Sequence, residues 1–527
     1  MSLFKNATLL VLVYFVIGCS PTIQAPAANS SSSGANSSET NSSDNSSQNN
    51  TTQGDATQSQ NVNDTPQGQS VPSFVPNLFV AGTTNDSIVG TSAGGFDFFV
   101  RGYSSEGDIA YSIQFGSAGD EDLRNVAVTS DDRLLLVGET TGNILGDQNN
   151  GDSDAFIRVY TTEGRHVFTK QIHSSELDVA QEVAVDELSG DVVVAGVTYG
   201  NLSGGFEGTA DVFLRRYQPD GVQVFARQIG SEGTESLAQI AVDAEGKIIV
   251  LGTTDGEVFQ EGLESTADTD IFFRIYDVDG RVLRTRQFGT DSAERAVAIN
   301  IDDIDDRFLI AGETSGSIRE DSEAGGSDIF YRTYDYEGAK YLTRQFGSTD
   351  DDELVALQVN TLGSVMLAGN TSGSLWGTSS GGSDVFLRVY NDSGTVVFTK
   401  QIGTDQDESL VSLLVADDMT VYLVGNTTGS YVGTNSGQSD GFVHAYSADG
   451  TTLFRRQFGS ELNDFIKSAE LDDQGNLVIL GETQGAILGT SRGETDLFMR
   501  IYNSEGALSL TRQIGTVGVE RTPEINY

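Results

Sequence analysis

A unit of 56 to 60 residues recurs eight times between Pro76 and Tyr527, and three short patterns mark each unit. The first, D-x-F-h-R-x-Y with h apolar, begins at Asp97, Asp154, Asp211, Asp270, Asp328, Asp384, Asp440 and Asp496. The second is a Gln followed by Ile or Phe and usually Gly, at Gln114, Gln171, Gln228, Gln287, Gln345, Gln401, Gln457 and Gln513. The third is a G-x-T triplet at Gly82, Gly138, Gly196, Gly252, Gly312, Gly369, Gly425 and Gly481. This period indicates a repeat array and argues against several unrelated domains.

Each unit has the pattern of four short strands. In one of them, apolar runs at 237–242 and 247–251 flank a D-x-x-G turn, and runs at 271–276 and 282–287 flank a second turn that ends at Gly280. Short β-rich runs with Gly-bearing turns between them are hairpin signals. Four strands per repeat of this length predict an all-β fold, a single β-propeller of four-stranded blades. A β-solenoid is the alternative, although its coils are usually shorter.

The two ends of the repeat region predict that the propeller closes. The region opens with residues 77–83, which match the second strand of a unit and have no first strand before them. It stops with residues 522–527, which align with a first strand and have no second strand after them. Each end supplies what the other lacks, and closure hides edge strands that would promote aggregation. We therefore predict that 76–527 forms eight blades, one of them built from both chain ends.

The units resemble a known repeat. The run from Asp384 to Gly394, D-V-F-L-R-V-Y-N-D-S-G, followed by Gln401-Ile-Gly403, an A-V-D strand and the G-x-T triplet, is similar to the SBBP family of bacterial β-propeller repeats. The resemblance covers essentially all of 76–527. It implies a propeller in an extracytoplasmic setting and carries no catalytic residue. The family name refers to seven blades, whereas eight units are present, so seven and eight blades both stay open here.

The first nineteen residues have the pattern of a secretory signal. Lys5 is followed by an apolar run at 7–17, which is shorter than the ~20 residues of a membrane-spanning helix. The ending Val16-Ile17-Gly18-Cys19 resembles a bacterial lipobox, and in such lipoproteins the Cys is acylated and becomes the mature N-terminus. We predict a lipoprotein signal at 1–19 with lipid attachment at Cys19, the only cysteine. An ordinary signal peptide is the alternative. By the same resemblance, Ser20 favours the outer membrane.

The segment between the signal and the repeats is predicted to be a tether. Between Ser20 and Ser70, 34 of 51 residues are Ser, Thr, Asn or Gln. Such a composition cannot bury enough apolar surface to offset the entropy of ordering, so we expect 20–75 to be disordered. The tether would hold the folded body away from a membrane to which the lipid on Cys19 anchors it.

Composition excludes several classes of function. The 76 acidic residues against 30 Lys and Arg give a net charge of −46, which argues against a nucleic-acid partner. One cysteine excludes an intramolecular disulfide and a multi-thiolate metal site. No H-E-x-x-H, G-x-S-x-G, Walker or EF-hand pattern is present. We therefore predict a monomeric protein that is not an enzyme and has no cofactor or metal site.

One acidic position recurs seven residues after each motif Gln. Its occupants, the acidic ring, are Glu121, Asp178, Glu235, Glu294, Asp352, Glu408, Asp464 and Glu520. The functional interpretation is a carboxylate ring near the channel mouth that attracts Ca²⁺ or a cationic ligand. The structural interpretation is pairing with two recurring sets of cations, the Arg of D-x-F-h-R-x-Y and the Lys or Arg before each Gln. The near balance between recurring acids and recurring cations favours the structural interpretation.

Loop lengths indicate where a ligand would bind. Because neighbouring strands are antiparallel, the two tight turns of each unit share one face and the two longer loops share the other, the long-loop face. We predict a surface-anchored bacterial lipoprotein, a non-enzymatic scaffold whose long-loop face binds an unknown protein or glycan. One alternative is a Ca²⁺-dependent adhesin for carbohydrate or protein. Another is a polysaccharide lyase or glycosidase that uses loop carboxylates, although a catalytic site would break the similarity of the units.

Overall fold

A computed structural model describes residues 76–522, apart from 145–150, 204, 206–207, 259–267, 303–304, 320–324 and 378. The predicted signal at 1–19 with Cys19, the predicted tether and residues 523–527 lie outside the described residues. The described chain forms eight separate sheets of four antiparallel strands. This confirms the all-β propeller and decides the blade number at eight.

Blades 1 to 4 follow one another along the chain, each with its inner strand first. Blade 1 comprises β4 (Glu121–Val128), β5 (Arg133–Thr140), β6 (Asp154–Thr161) and β7 (His166–Ile172). Blade 2 comprises β8 (Asp178–Asp186), β9 (Asp191–Thr198), β10 (Asp211–Tyr217) and β11 (Gln223–Ile229). Blade 3 comprises β12 (Glu235–Val242), β13 (Ile248–Thr254), β14 (Asp270–Tyr276) and β15 (Val282–Phe288). Blade 4 comprises β16 (Glu294–Asp302), β17 (Arg307–Thr314), β18 (Asp328–Asp335) and β19 (Lys340–Phe346).

The next three blades repeat this order, and the eighth combines both ends of the chain. Blade 5 comprises β20 (Asp352–Val359), β21 (Val365–Thr371), β22 (Asp384–Tyr390) and β23 (Val396–Ile402). Blade 6 comprises β24 (Glu408–Val415), β25 (Val421–Thr427), β26 (Asp440–Tyr446) and β27 (Thr452–Phe458). Blade 7 comprises β28 (Asp464–Leu471), β29 (Leu477–Thr483), β30 (Asp496–Tyr502) and β31 (Leu508–Ile514). Blade 8 comprises β32 (Glu520–Arg521), β1 (Leu78–Thr84), β2 (Asp97–Tyr103) and β3 (Ile109–Phe115).

The predicted closure is confirmed in blade 8. The inner strand β32 pairs antiparallel with β1, and Thr84 lies opposite Glu520. Because β1 opens the described chain and β32 ends it, the ring is closed by backbone hydrogen bonds between the two ends. The end of the β1 edge, at Thr83 and Thr84, is thereby paired.

The sequence explains the two tight turns of each blade. In blade 3, the turn between β12 and β13 ends at Gly246 with φ of 80°, and the turn between β14 and β15 ends at Gly280 with φ of 73°. These left-handed conformations favour glycine, since a Cβ would crowd the backbone. Both turns are closed by a backbone hydrogen bond from the Gly N–H to the Asp carbonyl that opens the turn.

The hydrophobic core lies between blades. Each core cluster combines two adjacent blades; one of them joins Ile271 and Phe273 of blade 3 to Phe308 and Phe330 of blade 4. Successive side chains of a strand point to opposite sheet faces, so each middle strand contributes to the clusters on both of its sides. Because the blade faces are buried against each other, residues can differ from blade to blade mainly in the channel and in the loops.

Candidate functional site

The acidic ring lies inside the protein. All eight carboxylates are 0–2% exposed, so they do not line an open surface. In blade 1, Glu121 accepts hydrogen bonds from the Ser117 N–H at 2.7 Å, the Ser117 hydroxyl at 2.5 Å and the Thr140 hydroxyl at 2.7 Å. The same backbone N–H donor, four residues before the acid, recurs in all eight blades. Burial raises the pKa of Glu121 despite these donors.

The recurring cations have partners other than the acidic ring, in contrast to the ion pairs expected from the sequence. The guanidinium of Arg388 lies 4.1 Å from the ring centroid of Trp376 and 4.8 Å from that of Phe346 in the preceding blade. Arg158, Arg332 and Arg500 lie over Phe115, Phe288 and Phe458 in the same way. In the second cation set, Arg227 donates to the carbonyl of Gly280 in the next blade at 2.6 Å. Both sets therefore join neighbouring blades.

The motif Gln fixes the long loop that crosses from the second strand to the third. Gln401 Nε2 donates to the carbonyl of Gly373 at 2.9 Å and to Asp384 Oδ2 at 2.8 Å. Its Oε1 accepts from the backbone N–H groups of Leu375 at 3.0 Å and Trp376 at 3.3 Å. One side chain thus holds the loop backbone at three points and the Asp384 carboxylate at a fourth, which explains why Gln recurs in every unit.

In six of the loops, the clamp leaves one side chain presented on the long-loop face. The Gln Oε1 accepts from the backbone N–H of this residue in six blades, at Val89, Ser203, Arg319, Trp376, Val432 and Leu488. We call these the presented residues. Their backbone is held alike from blade to blade while their side chains differ in size and charge. A rigid backbone with variable side chains is the arrangement of a binding surface on a scaffold.

Part of the long-loop face is apolar. The presented residues Trp376, Val432 and Leu488 belong to consecutive blades and are 38%, 38% and 49% exposed. Leu462 and Val517, 51% and 84% exposed, lie in the adjoining interblade loops. We call these five residues the apolar sector. Comparison of the units places Trp376, Val432 and Leu488 at one loop position and favours a packing role for Trp376, whereas their exposure on one face is evident only from the structure.

The central channel contains groups that break the symmetry. A cavity of about 610 Å³ is lined by the inner strands of blades 3 to 7, with Gln239, Asn300, Gln358 and Glu470 among its lining residues. Burial raises the pKa of Glu470 to about 8. Glu182 on β8 has a pKa that burial raises to about 8, and its carboxylate accepts a hydrogen bond from Asn125 Nδ2 at 3.4 Å. Polar residues within otherwise apolar inner strands were the sequence signal for this lining.

Two further findings concern the described residues alone. They contain no group of three or more His, Cys, Asp or Glu side chains arranged to hold a metal ion. They also contain no helix with the length and apolar character needed to cross a membrane.

Known proteins are similar to this chain only at a distance. No protein-family model matches it. The regulatory protein FlaEY of Caulobacter vibrioides is 26% identical over 250 residues, which cover 44% of this chain and 24% of FlaEY. The chain thus spans about a quarter of the length of this curated relative.

Solved structures with some similarity include several enzymes. Puromycin hydrolase has a TM-score of 0.43 at 10% identity, covering 77% of this chain and 55% of its own. The polysaccharide lyase Uly1 has a TM-score of 0.41 at 12% identity, covering 82% and 100%. The acylaminoacyl peptidase of Pyrococcus horikoshii has a TM-score of 0.40 at 12% identity, covering 75% and 52%. These low values carry no argument about activity.

Proposed function

We propose that the protein is a bacterial surface lipoprotein that is anchored through Cys19 and acts as a non-enzymatic binding scaffold. The observation that supports the binding role is the ring of presented residues, whose backbone is clamped alike while their side chains differ. The buried acidic ring is occupied by hydroxyl and N–H donors, which favours a framework role for it over the Ca²⁺-dependent alternative. The ligand is a protein or glycan that contacts the long-loop face.

A ligand would gain the most binding free energy from the apolar sector of that face. Exposed apolar groups grouped on one surface mark interaction sites, and aromatic residues are enriched at them. Burying one Leu side chain contributes about 1.5–3 kcal/mol, and 1.4 kcal/mol corresponds to a tenfold change in affinity. Two leucines of the sector are therefore sufficient for a measurable test.

We expect the double variant Leu462→Ser/Leu488→Ser to weaken ligand binding at least about tenfold. The matched control is Leu188→Ser/Leu362→Ser, which changes two exposed leucines in the tight turns of the opposite face. Cells that display the full chain are assayed on arrays of glycans and purified surface proteins, with and without Ca²⁺. Equal losses in both variants, or a loss only in the control, would contradict the proposed binding face. Binding that disappears without Ca²⁺ would favour the adhesin alternative.

We expect Cys19→Ser to move the protein from the membrane fraction to the soluble fraction and to abolish incorporation of labelled palmitate. The thiol is the only one in the chain, so no second cysteine can take the lipid. Ser20→Ala is the control, because it changes the neighbouring residue and keeps the thiol. Membrane association that survives the loss of Cys19 would show that another feature anchors the protein.

A further inference from the structure

Two buried carboxyl groups come close together at several junctions between blades. Between blades 3 and 4, Asp270 of β14 and Glu294 of β16 are 1% and 2% exposed. A Cβ added to Gly289 would lie 2.0 Å from Asp270 Oδ1 and 2.4 Å from Glu294 Oε2, so both oxygens lie beside the same Cα. Asp97 with Glu121, Asp384 with Glu408, and Asp440 with Asp464 likewise converge on Gly116, Gly403 and Gly459.

Hydrogen-bond donors are divided unequally within the pair. Glu294 accepts from the Thr290 N–H at 2.7 Å, the Thr290 hydroxyl at 2.7 Å and the Thr314 hydroxyl at 2.6 Å. Asp270 Oδ2 accepts from Gln287 Nε2 at 3.0 Å, whereas Asp270 Oδ1 is buried and has no hydrogen-bond partner among the described residues. The same orphan oxygen recurs in Asp97, Asp384, Asp440 and Asp496. A buried acceptor without a donor costs about 1–3 kcal/mol, so its recurrence indicates a missing donor.

Within the part of the chain that the structure describes, the groups that act on the pair carry no positive charge. The groups that face it from β15, β17 and the loop before β16 are Gln287, Thr314 and Thr290, none of which titrates. The charged group that acts on Glu294 is Asp270 itself. Burial raises the pKa of Glu294, and the nearby Asp270 carboxylate raises it further; burial also raises the pKa of Asp270. Two ionised carboxylates at such a site repel each other without screening by water.

We propose that each such pair binds one proton at neutral pH, held between the orphan Asp oxygen and the nearby oxygen of the acidic-ring residue. Asp270 carries the proton because Glu294 already accepts three hydrogen bonds as a carboxylate. Asp270 Oδ2 stays an acceptor for Gln287, and Oδ1–H donates to Glu294 Oε2. The Asp97–Glu121 and Asp384–Glu408 pairs have the same geometry, with the orphan Asp oxygen and a Glu oxygen beside one glycine. Neighbouring blades are then joined by proton-bridged carboxyl pairs.

The proposal fixes the sign of the pH dependence. A carboxyl group whose pKa is raised in the folded state binds more protons there than in the unfolded chain. Its stabilisation is complete below the unfolded pKa of about 4 and is lost as the pH rises through the folded pKa. The propeller should therefore be more stable in mild acid than in mild base. Because other acids also titrate, the informative quantity is the difference between the protein and a matched variant.

Asp270→Asn in the full chain tests the assignment. The amide oxygen can accept from Gln287 in place of Oδ2, and the amide N–H can donate to Glu294 Oε2 without a titrating proton. We expect the variant to show a smaller fall in melting temperature than the wild type between about pH 5 and about pH 8. The control is Asp279→Asn, which changes an exposed acid in a turn of the same blade and should parallel the wild type.

Infrared spectroscopy provides a readout that a merely structural role would not change. At neutral pH the wild type should show the carbonyl band of protonated carboxyl groups, shifted in D₂O, and Asp270→Asn should lose part of it. The double variant Asp270→Asn/Asp384→Asn should lose a further part of this band. If Asp270→Asn does not fold, Asp384→Asn alone provides the same test. The proposal is overturned if no such band exists or if both variants leave it unchanged. It is also overturned if Ca²⁺ raises the wild-type melting temperature and Asp270→Asn abolishes that effect, since a metal would then occupy the pair.

Discussion

A chain that ends at Gly515, and therefore lacks β32, is expected to lose the single cooperative unfolding transition of the propeller. The inner edge of β1 would then be unpaired, because β32 is the strand that pairs with it there. The loss also removes Glu520, whose carboxylate accepts from the Thr84 hydroxyl at 3.1 Å across the two ends of the chain. It further removes the Thr522 N–H, which donates to Glu482 of blade 7 at 3.1 Å. Blade 8 would thus lose its inner strand and its contacts with blade 7 together.

A point variant separates ring closure from simple shortening of the chain. We expect Glu520→Ala to lower the free energy of unfolding by about 2–4 kcal/mol, because the buried Thr84 hydroxyl and Thr516 N–H lose their acceptor. Glu505→Ala, which changes an exposed acid in a turn of blade 7, should stay within about 0.5 kcal/mol of the wild type. Thermal and urea unfolding followed by circular dichroism measure both. A truncated chain that unfolds at the wild-type midpoint would show that closure contributes nothing.

Gly289→Ala is expected to destabilise the propeller by about 3 kcal/mol or more. The added methyl group would overlap both Asp270 Oδ1 and Glu294 Oε2, and Glu294 Oε2 cannot retreat without losing the hydrogen bond from the Thr290 N–H. Overpacking in a buried site costs about 1–3 kcal/mol, and each buried group left unpaired adds about 1–3 kcal/mol. Urea unfolding measures the loss. Gly205→Ala, at a site with open space, is the matched control and should be nearly neutral.

The junction between blades 1 and 2 suggests a rescue of that variant. His173 stands there where the other units have Gly, and the facing acid is Asp178, which is one methylene shorter than Glu. We therefore expect Gly289→Ala/Glu294→Asp to recover part of the stability that Gly289→Ala loses. If the double variant is less stable than either single variant, the methyl group and the Glu294 carboxylate do not compete for the same space.

The hydrogen-bond donors of the acidic ring could have been predicted from the sequence. Each acidic-ring residue is preceded four positions earlier by Ser or Thr, and these residues supply its recurring N–H donor. The G-x-T threonines supply a second hydroxyl, as Thr140 does for Glu121. The near balance between recurring acids and cations instead favoured ion pairs. A Ser or Thr four residues before each acidic-ring carboxylate is closer to it in the chain than the recurring arginines, and it is the donor that the structure shows.

The sequence by itself determined the repeated units, the four strands of each and the closure through both chain ends, whereas the structure decided the number of blades. The features that the sequence determined depend on strand periodicity, turn glycines such as Gly280 and the complementary chain ends, all of which are local or repeated signals. Only the tertiary structure decided which side chains meet across a junction, such as Arg388 with Phe346 and Asp270 with Glu294. The physical reason is that neighbouring blades contact each other through packed sheet faces. The periodicity of a strand sets which face a side chain is on, whereas the offset between packed faces decides the residue that it contacts.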